Sequence, residues 1–132
     1  MVFRRGDQVE VSSKEDGFAG SYFPATVVSE LTKEEYIVQY MTLLKEDKSG
    51  PLREIVAPDE IRPVPPEIPA TGFNLRDRVD AFANDGWWVG KITGKIGAKY
   101  FVRFQSTGDE GAYSLSDLRV HQEYVNGKWV PS

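Results

Sequence analysis

The chain has 132 residues, 40% hydrophobic and 27% charged, which is room for one ordinary domain or two very small ones. It contains no cysteine and one histidine, His121, so disulfides, thiolate nucleophiles, cysteine-ligated zinc and histidine-triad metal sites are excluded. With 16 basic against 20 acidic residues and a pI near 5.0, a partner held mainly through its phosphates is disfavoured and a cationic one is easier to accommodate.

Along the chain the strand signal is alternation of apolar and polar residues. Val9 and Val11 alternate with Gln8 and Glu10, and Glu15-Asp16-Gly17 reads as a loop corner. Ala25 and Val27 then flank Thr26, Leu31 to Glu35 is long enough only for a turn, and Tyr36, Val38 and Tyr40 alternate with Ile37 and Gln39. Four of the eight prolines fall in Pro63–Gly72, a composition that favours a semi-rigid, extended spacer. Beyond it come Val79 and Ala81, the corner Asn84-Asp85-Gly86, then Trp88, Gly90 and Ile92. The corner Ile96-Gly97-Ala98 precedes Tyr100, Val102 and Phe104; Gly108–Gly111 is a further corner, and Leu115–Leu118 a second short turn. No apolar run reaches the roughly 20 residues of a membrane span, and no signal-peptide core opens the sequence, so a soluble globular protein is expected.

The second half repeats the first. Phe3–Val11 returns as Phe73–Ala81 at an offset of 70, Tyr22–Val27 as Trp87–Ile92 at 65, Tyr36–Tyr40 as Tyr100–Phe104 at 64, and Ile61-Arg62-Pro63 as Leu118-Arg119-Val120 at 57. An offset that shrinks only between apolar blocks is what loop shortening in a second copy of one fold produces. The expected fold class is therefore all-β: two tandem SH3-like small barrels, residues 1–64 and 73–132, joined by a Pro-rich linker over 65–72.

Catalysis is disfavoured by inventory. His121 reads as a residue of a solvated strand or tail, no phosphate-cradling glycine motif is present, and carboxylate pairs such as Glu15/Asp16 sit in turns. No enzyme activity, metal or cofactor is expected. The aromatic supply is the unusual feature, with 7 Phe, 3 Trp and 6 Tyr. Tyr22-Phe23 and Trp87-Trp88 occupy matching places, as do Tyr40 and Phe104, and Phe82 ends the first strand of the second copy. Rings gathered at the end of a barrel and flanked by acids have the composition of a cage for a methylated ammonium, whose diffuse, weakly hydrated charge suits ring faces. A carboxylate such as Glu15, Asp16 or Asp85 could accept the N–H that mono- and dimethyl-lysine keep.

The ordered set Gly6–Val11, Gly17–Ala25, Tyr36–Tyr40 and Ile61–Pro66 resembles the plant Agenet domain. Val79–Phe82, Asn84–Gly90, Leu118–His121 and Gly127–Val130 resemble its usual tandem partner. Agenet domains are Tudor-like members of the Royal family, small barrels that commonly read methylated lysine or arginine. The resemblance implies a nuclear, non-enzymatic chromatin reader of the histone H3 tail dimethylated at its ninth residue, a lysine, acting in heterochromatin silencing. It further implies a monomeric piece of a longer chain with several such tandems. Carried over by position, the cage falls on Tyr22, Phe23 and Tyr40; the first-strand wall falls near Ser12 or Ser13, where Phe18 could substitute. The second copy offers Phe82, Trp87, Trp88 and Phe104 as the alternative cage.

Charge favours the first copy. Residues 1–66 hold 8 basic and 12 acidic residues, and residues 67–132 hold 8 of each, so the whole deficit of four lies in the first module. Glu10, Glu15 and Asp16, with Glu30, Glu46 and Asp47, would attract a basic tail, and Asp85 would serve the second copy. Two rivals remain: a methylation-independent protein scaffold, and a nucleic-acid-binding tandem. For the latter, disfavoured by overall charge, Lys91, Lys95, Lys99 and Arg103 form the one supporting stripe.

Overall fold

The computed structural model describes residues 3–12 and 20–131. The chain divides into two compact units, unit 1 built around Tyr22–Val64 with the N-terminal strand, and unit 2 around the chain from Pro65 onward. Apart from two three-residue 3-10 turns, Pro58–Glu60 and Leu115–Asp117, every regular element of the described residues is a strand. None of their helices is long and apolar enough to cross a membrane.

Unit 1 contains β1 (Gln8–Ser12), β2 (Ser21–Thr32), β3 (Glu35–Leu44), β4 (Pro51–Val56) and β5 (Ile61–Pro63). β1 lies between β5 and β2, β2 pairs onward with β3, and β3 with β4, all antiparallel. Unit 2 contains β6 (Arg78–Ala83), β7 (Gly86–Ile96), β8 (Lys99–Phe104), β9 (Glu110–Ser114) and β10 (Leu118–Val120). Here β6 lies between β10 and β7, β7 pairs with β8, and β8 with β9. The same five-stranded order in both units is the SH3-like architecture expected from the alternating pattern. A separate hairpin, β11 (Gln122–Val125) with β12 (Lys128–Pro131), ends the described chain. Its Asn126-Gly127 corner has both φ positive, at 50° and 77°, the backbone that a two-residue turn needs to match strand twist.

Alternation sets which face is buried. In β2, Phe23, Ala25 and Val27 are buried while Tyr22, Pro24 and Thr26 are not. In β3, Tyr36, Val38 and Tyr40 are buried. Unit 2 buries Val79, Ala81, Ile92, Tyr100, Val102 and Leu118, with Phe73, Phe104, Tyr113 and Leu115 packed against them. Each buried aliphatic side chain contributes roughly 1.5–3 kcal/mol against solvent exposure.

The repeat extends to individual bonds. Phe3 meets Tyr36 edge-on at 5.8 Å, and Phe73 meets Tyr100 at 5.9 Å. Asp7 accepts from the Arg4 amide at 2.8 Å, and Asp77 from the Asn74 amide at 2.8 Å. Glu10 binds Arg62 at 2.8 Å, and Asp80 binds Arg119 at 2.8 Å. The same arginines lie over an aromatic ring, Arg62 3.4 Å from the Tyr22 centroid and Arg119 4.1 Å from that of Trp87. Acid, arginine and ring thus brace one face of each unit, joining the first, second and fifth strands.

One expectation is overturned. His121 is not on a solvated strand or tail: it is 1% exposed, with Nδ1 2.7 Å from Asp80 Oδ1 and Nε2 2.6 Å from Glu123 Oε1. The strand pairing that buries Asp80 brings this ring in beside it, a contact between residues 41 apart in sequence. Burial pulls the imidazole pKa down, but hydrogen bonds and charge from both carboxylates outweigh it and raise the pKa above the ordinary value.

Candidate functional site

In unit 1, Phe23 on β2 and Tyr40 on β3 share the interior face. Ala25 is the direct partner of Tyr40, and Phe23 lies two residues from it along β2. Their rings meet edge-on, 6.5 Å between centroids at 90°, and they are 6% and 5% exposed. Tyr40 Oη donates to Glu54 Oε1 at 3.2 Å. Burial first, then the charge of Glu54, the hydrogen bond to it and the charge of Glu60, hold the phenol above the usual tyrosine range. Two rings and the Glu54 carboxylate therefore meet at this end of unit 1, while Glu60 Oε1 accepts from the Ala57 amide at 3.2 Å and acts on Tyr40 through its charge.

The expected trio divides across the sheet. Tyr22 is next to Phe23 in β2 and so points the opposite way, with Arg62 against its ring. Among the expected acids, Glu10 is 2% exposed and held by Arg62, which places it inside the brace rather than on a tail-accepting surface. Glu30, Glu46, Asp47 and Asp85 are exposed. Asp47 accepts from both the amide and the hydroxyl of Ser49, which lowers its carboxyl pKa. Ser13, Glu15, Asp16 and Phe18 lie outside the described residues.

The alternative set in unit 2 divides in the same way. Trp88 stands opposite Ala81, and Phe104 opposite Gly90, so both take the interior face. Phe82 and Trp87 are direct partners on the other face, with rings 5.1 Å apart. Tyr113 completes the interior group, meeting Phe104 edge-on at 5.7 Å. Phe104 also borders a cleft lined by Arg76, Arg78, Lys91 and Arg103, a setting unfavourable to a cationic ligand. Among the described residues, no group of three or more His, Cys, Asp or Glu side chains converges as a metal-ligand set.

Sequence reading missed Glu54, Glu60 and Tyr113. Tyr113 could have been found as an aromatic following the Gly108–Gly111 corner at strand spacing. Glu54 stands opposite Val38 in the β3–β4 register, diagonal to Tyr40 on the same face, and which residue of another strand lies there carries no local sequence mark.

An Agenet domain model matches residues 6–66. The chain is 42% identical over its full length to Protein AGENET DOMAIN (AGD)-CONTAINING P1 of Arabidopsis thaliana, of which it spans 26%. It is 39% identical over 98% of its length to DUF724 domain-containing protein 6 of the same plant, of which it spans 19%. Among solved structures, it superposes on Arabidopsis thaliana AGDP1 AGD34 with a TM-score of 0.93 at 34% identity, covering 98% of this chain and 90% of that one. The ADCP1 tandem Agenet domain 3-4 gives a TM-score of 0.88 at 31% identity, covering 98% and 88%. The chain belongs to the Agenet domain family, as a tandem Agenet module homologous to those of AGDP1 and ADCP1.

Proposed function

We propose that this module is a non-enzymatic chromatin reader that seats a methylated lysine of the histone H3 tail, the dimethylated ninth residue, between Phe23 and Tyr40 of unit 1. Its setting would be nuclear heterochromatin silencing. The observation that carries the reading is the edge-to-face ring pair with Glu54 bonded to Tyr40. Ring faces attract a methylated ammonium by roughly 0.5–2 kcal/mol each, more as it is desolvated. Glu54 can accept the single N–H that a dimethylammonium keeps and a trimethylammonium lacks. Because both rings are buried, a tail lysine must part them on entry, and affinity is set near the micromolar range, about −8 kcal/mol. Tyr22 and Glu10 support the sheet from its other face. Phe104, beside four cations, is the poorer seat for a positive ligand.

Calorimetric titration with H3-tail peptides, unmodified or dimethylated at the fourth or the ninth residue, tests this reading. Dimethylation at the ninth residue should tighten binding by tenfold or more. Glu54→Gln should erase the preference for dimethyl over trimethyl-lysine, and Phe104→Ala should leave binding intact. Affinity indifferent to methylation would point to a scaffold, and loss with Phe104→Ala alone would move the cage to unit 2.

A further inference from the structure

On the outer face of unit 2, three cations stand in direct cross-strand register. Arg78 on β6 faces Lys91 on β7, and Lys91 faces Arg103 on β8. Arg76 joins them along an open cleft that also includes Phe104 and Gln105. Like charges placed directly opposite one another destabilise a sheet, and the neighbouring groups do little to relieve these. Arg78 Nη2 donates to the neutral Gln105 Oε1 at 3.0 Å. The row ends on an acid, since Arg103 faces Glu110 on β9, but the two are 3.9 Å apart with side chains 64% and 41% exposed, a pair worth little in water, and Glu110 also accepts from Thr93 Oγ1 at 2.7 Å. Asp77, between Arg76 and Arg78, directs its carboxylate to the Asn74 amide.

Unit 1 shows that the fold does not require this charge. In the same register it carries Gln8 opposite Thr26 and Thr26 opposite Gln39, and Gln39 accepts from Arg53 Nε. The three positions that match the ladder are thus uncharged in unit 1, with Arg53 next across from Gln39. The ladder in unit 2 is therefore an addition, unfavourable by itself and relieved when an anion covers it. The balance of 8 basic and 8 acidic residues over 67–132 conceals this clustering.

We infer that the Arg78–Lys91–Arg103 ladder binds the phosphodiester backbone of a nucleic acid. Neighbouring strands lie about 4.8 Å apart, so three cations span about 10 Å. Duplex DNA presents about one charge per 1.7 Å of its axis, both strands counted, a dense line of charge for the ladder to meet. An extended peptide with an acid at every residue carries about one charge per 3.4 Å, half that density, each on a single carboxylate. Arginine forks suit phosphate oxygens.

The test is fluorescence anisotropy of the whole chain with a labelled 20-base-pair duplex at 50 and 200 mM salt. Four phosphate contacts lower affinity by about a hundredfold across that range. Arg78→Gln/Lys91→Thr/Arg103→Gln, which supplies the residues unit 1 carries at these positions, should lower the salt slope by about 2.7 while circular dichroism stays that of the parent. Lys33→Gln/Lys45→Gln/Lys48→Gln removes equal charge from unit 1 and should leave the slope in place. Should the unit 2 triple variant fail to fold, Lys91→Thr alone at its exposed position should reduce the slope by about 0.9. Absence of binding at 50 mM salt, a slope that ignores the ladder, equal loss in the unit 1 control, or tighter binding to polyglutamate than to the duplex would each overturn the inference.

Discussion

Asp80→Asn is the sharpest probe of what holds unit 2 together. The carboxylate is 1% exposed and receives Arg119 Nε at 2.8 Å and His121 Nδ1 at 2.7 Å. The amide keeps the volume and removes the charge. The amide oxygen can still accept one of the two bonds, so the variant loses one bond to a charged group, about 1.5–3 kcal/mol, together with the charge that Arg119 and His121 face, which brings the loss to about 3–5 kcal/mol, the usual cost of removing one partner from a buried ion pair. Small domains have about 5 kcal/mol or a little more in total, so the variant should be close to unfolding in water. The assay is built in: Trp87, Trp88 and Trp129 are the three tryptophans of the chain, and all lie in unit 2, so urea denaturation followed by tryptophan emission reports that unit. With a slope of about 1 kcal/mol per molar urea, the midpoint should fall by 3 M or more. Arg119→Met should cost less than Asp80→Asn, because it leaves His121 on the carboxylate, and the two changes together should be strongly non-additive. A loss below about 1 kcal/mol for Asp80→Asn, or simple additivity with Arg119→Met, would refute the view that this brace holds β6 to β10.

Two further outcomes follow from the same unit. Its stability should depend on pH through His121: the folded pKa is raised, so the contribution is complete below the unfolded value of about 6.5 and is lost as pH rises through the folded value. Urea midpoints measured between pH 5.5 and 9 should fall across that window, and His121→Gln should flatten the profile; an unchanged profile would show that the ring does not take up a proton on folding. Gly90→Ala should destabilise by about 1–3 kcal/mol, because the new Cβ would stand 2.6 Å from Val102 Cγ1 and 2.7 Å from the Arg103 carbonyl oxygen. A thermal midpoint lowered by about 4 °C or more is expected, and parity with the parent would mean that β7 and β8 can separate without cost.

The strands were legible because alternation is a local property: apart from Ser21, the buried positions of β2, β3 and β8 are the alternating apolar residues of the sequence. The repeat was legible for the same reason, and it reappears as matched pairs such as Phe3–Tyr36 and Phe73–Tyr100. The grouping of aromatics was less so. Tyr22 and Phe23, or Trp87 and Trp88, read as one cluster along the chain, although a sheet sends adjacent side chains to opposite faces. Pairing register then decided their neighbours, giving Tyr22 to Arg62 and Phe23 to Tyr40.

By itself, the sequence determined the all-β class, the duplicated module and the excess of acid in the first half, since each depends on residue type and local order. Tertiary structure alone decided that Glu54 bonds Tyr40, that His121 is an interior group between two carboxylates, and that Arg78, Lys91 and Arg103 form a ladder. The physical reason is one and the same. Charges and rings act over a few ångströms, and in a β-sheet those distances are set by strand pairing between residues far apart in the chain.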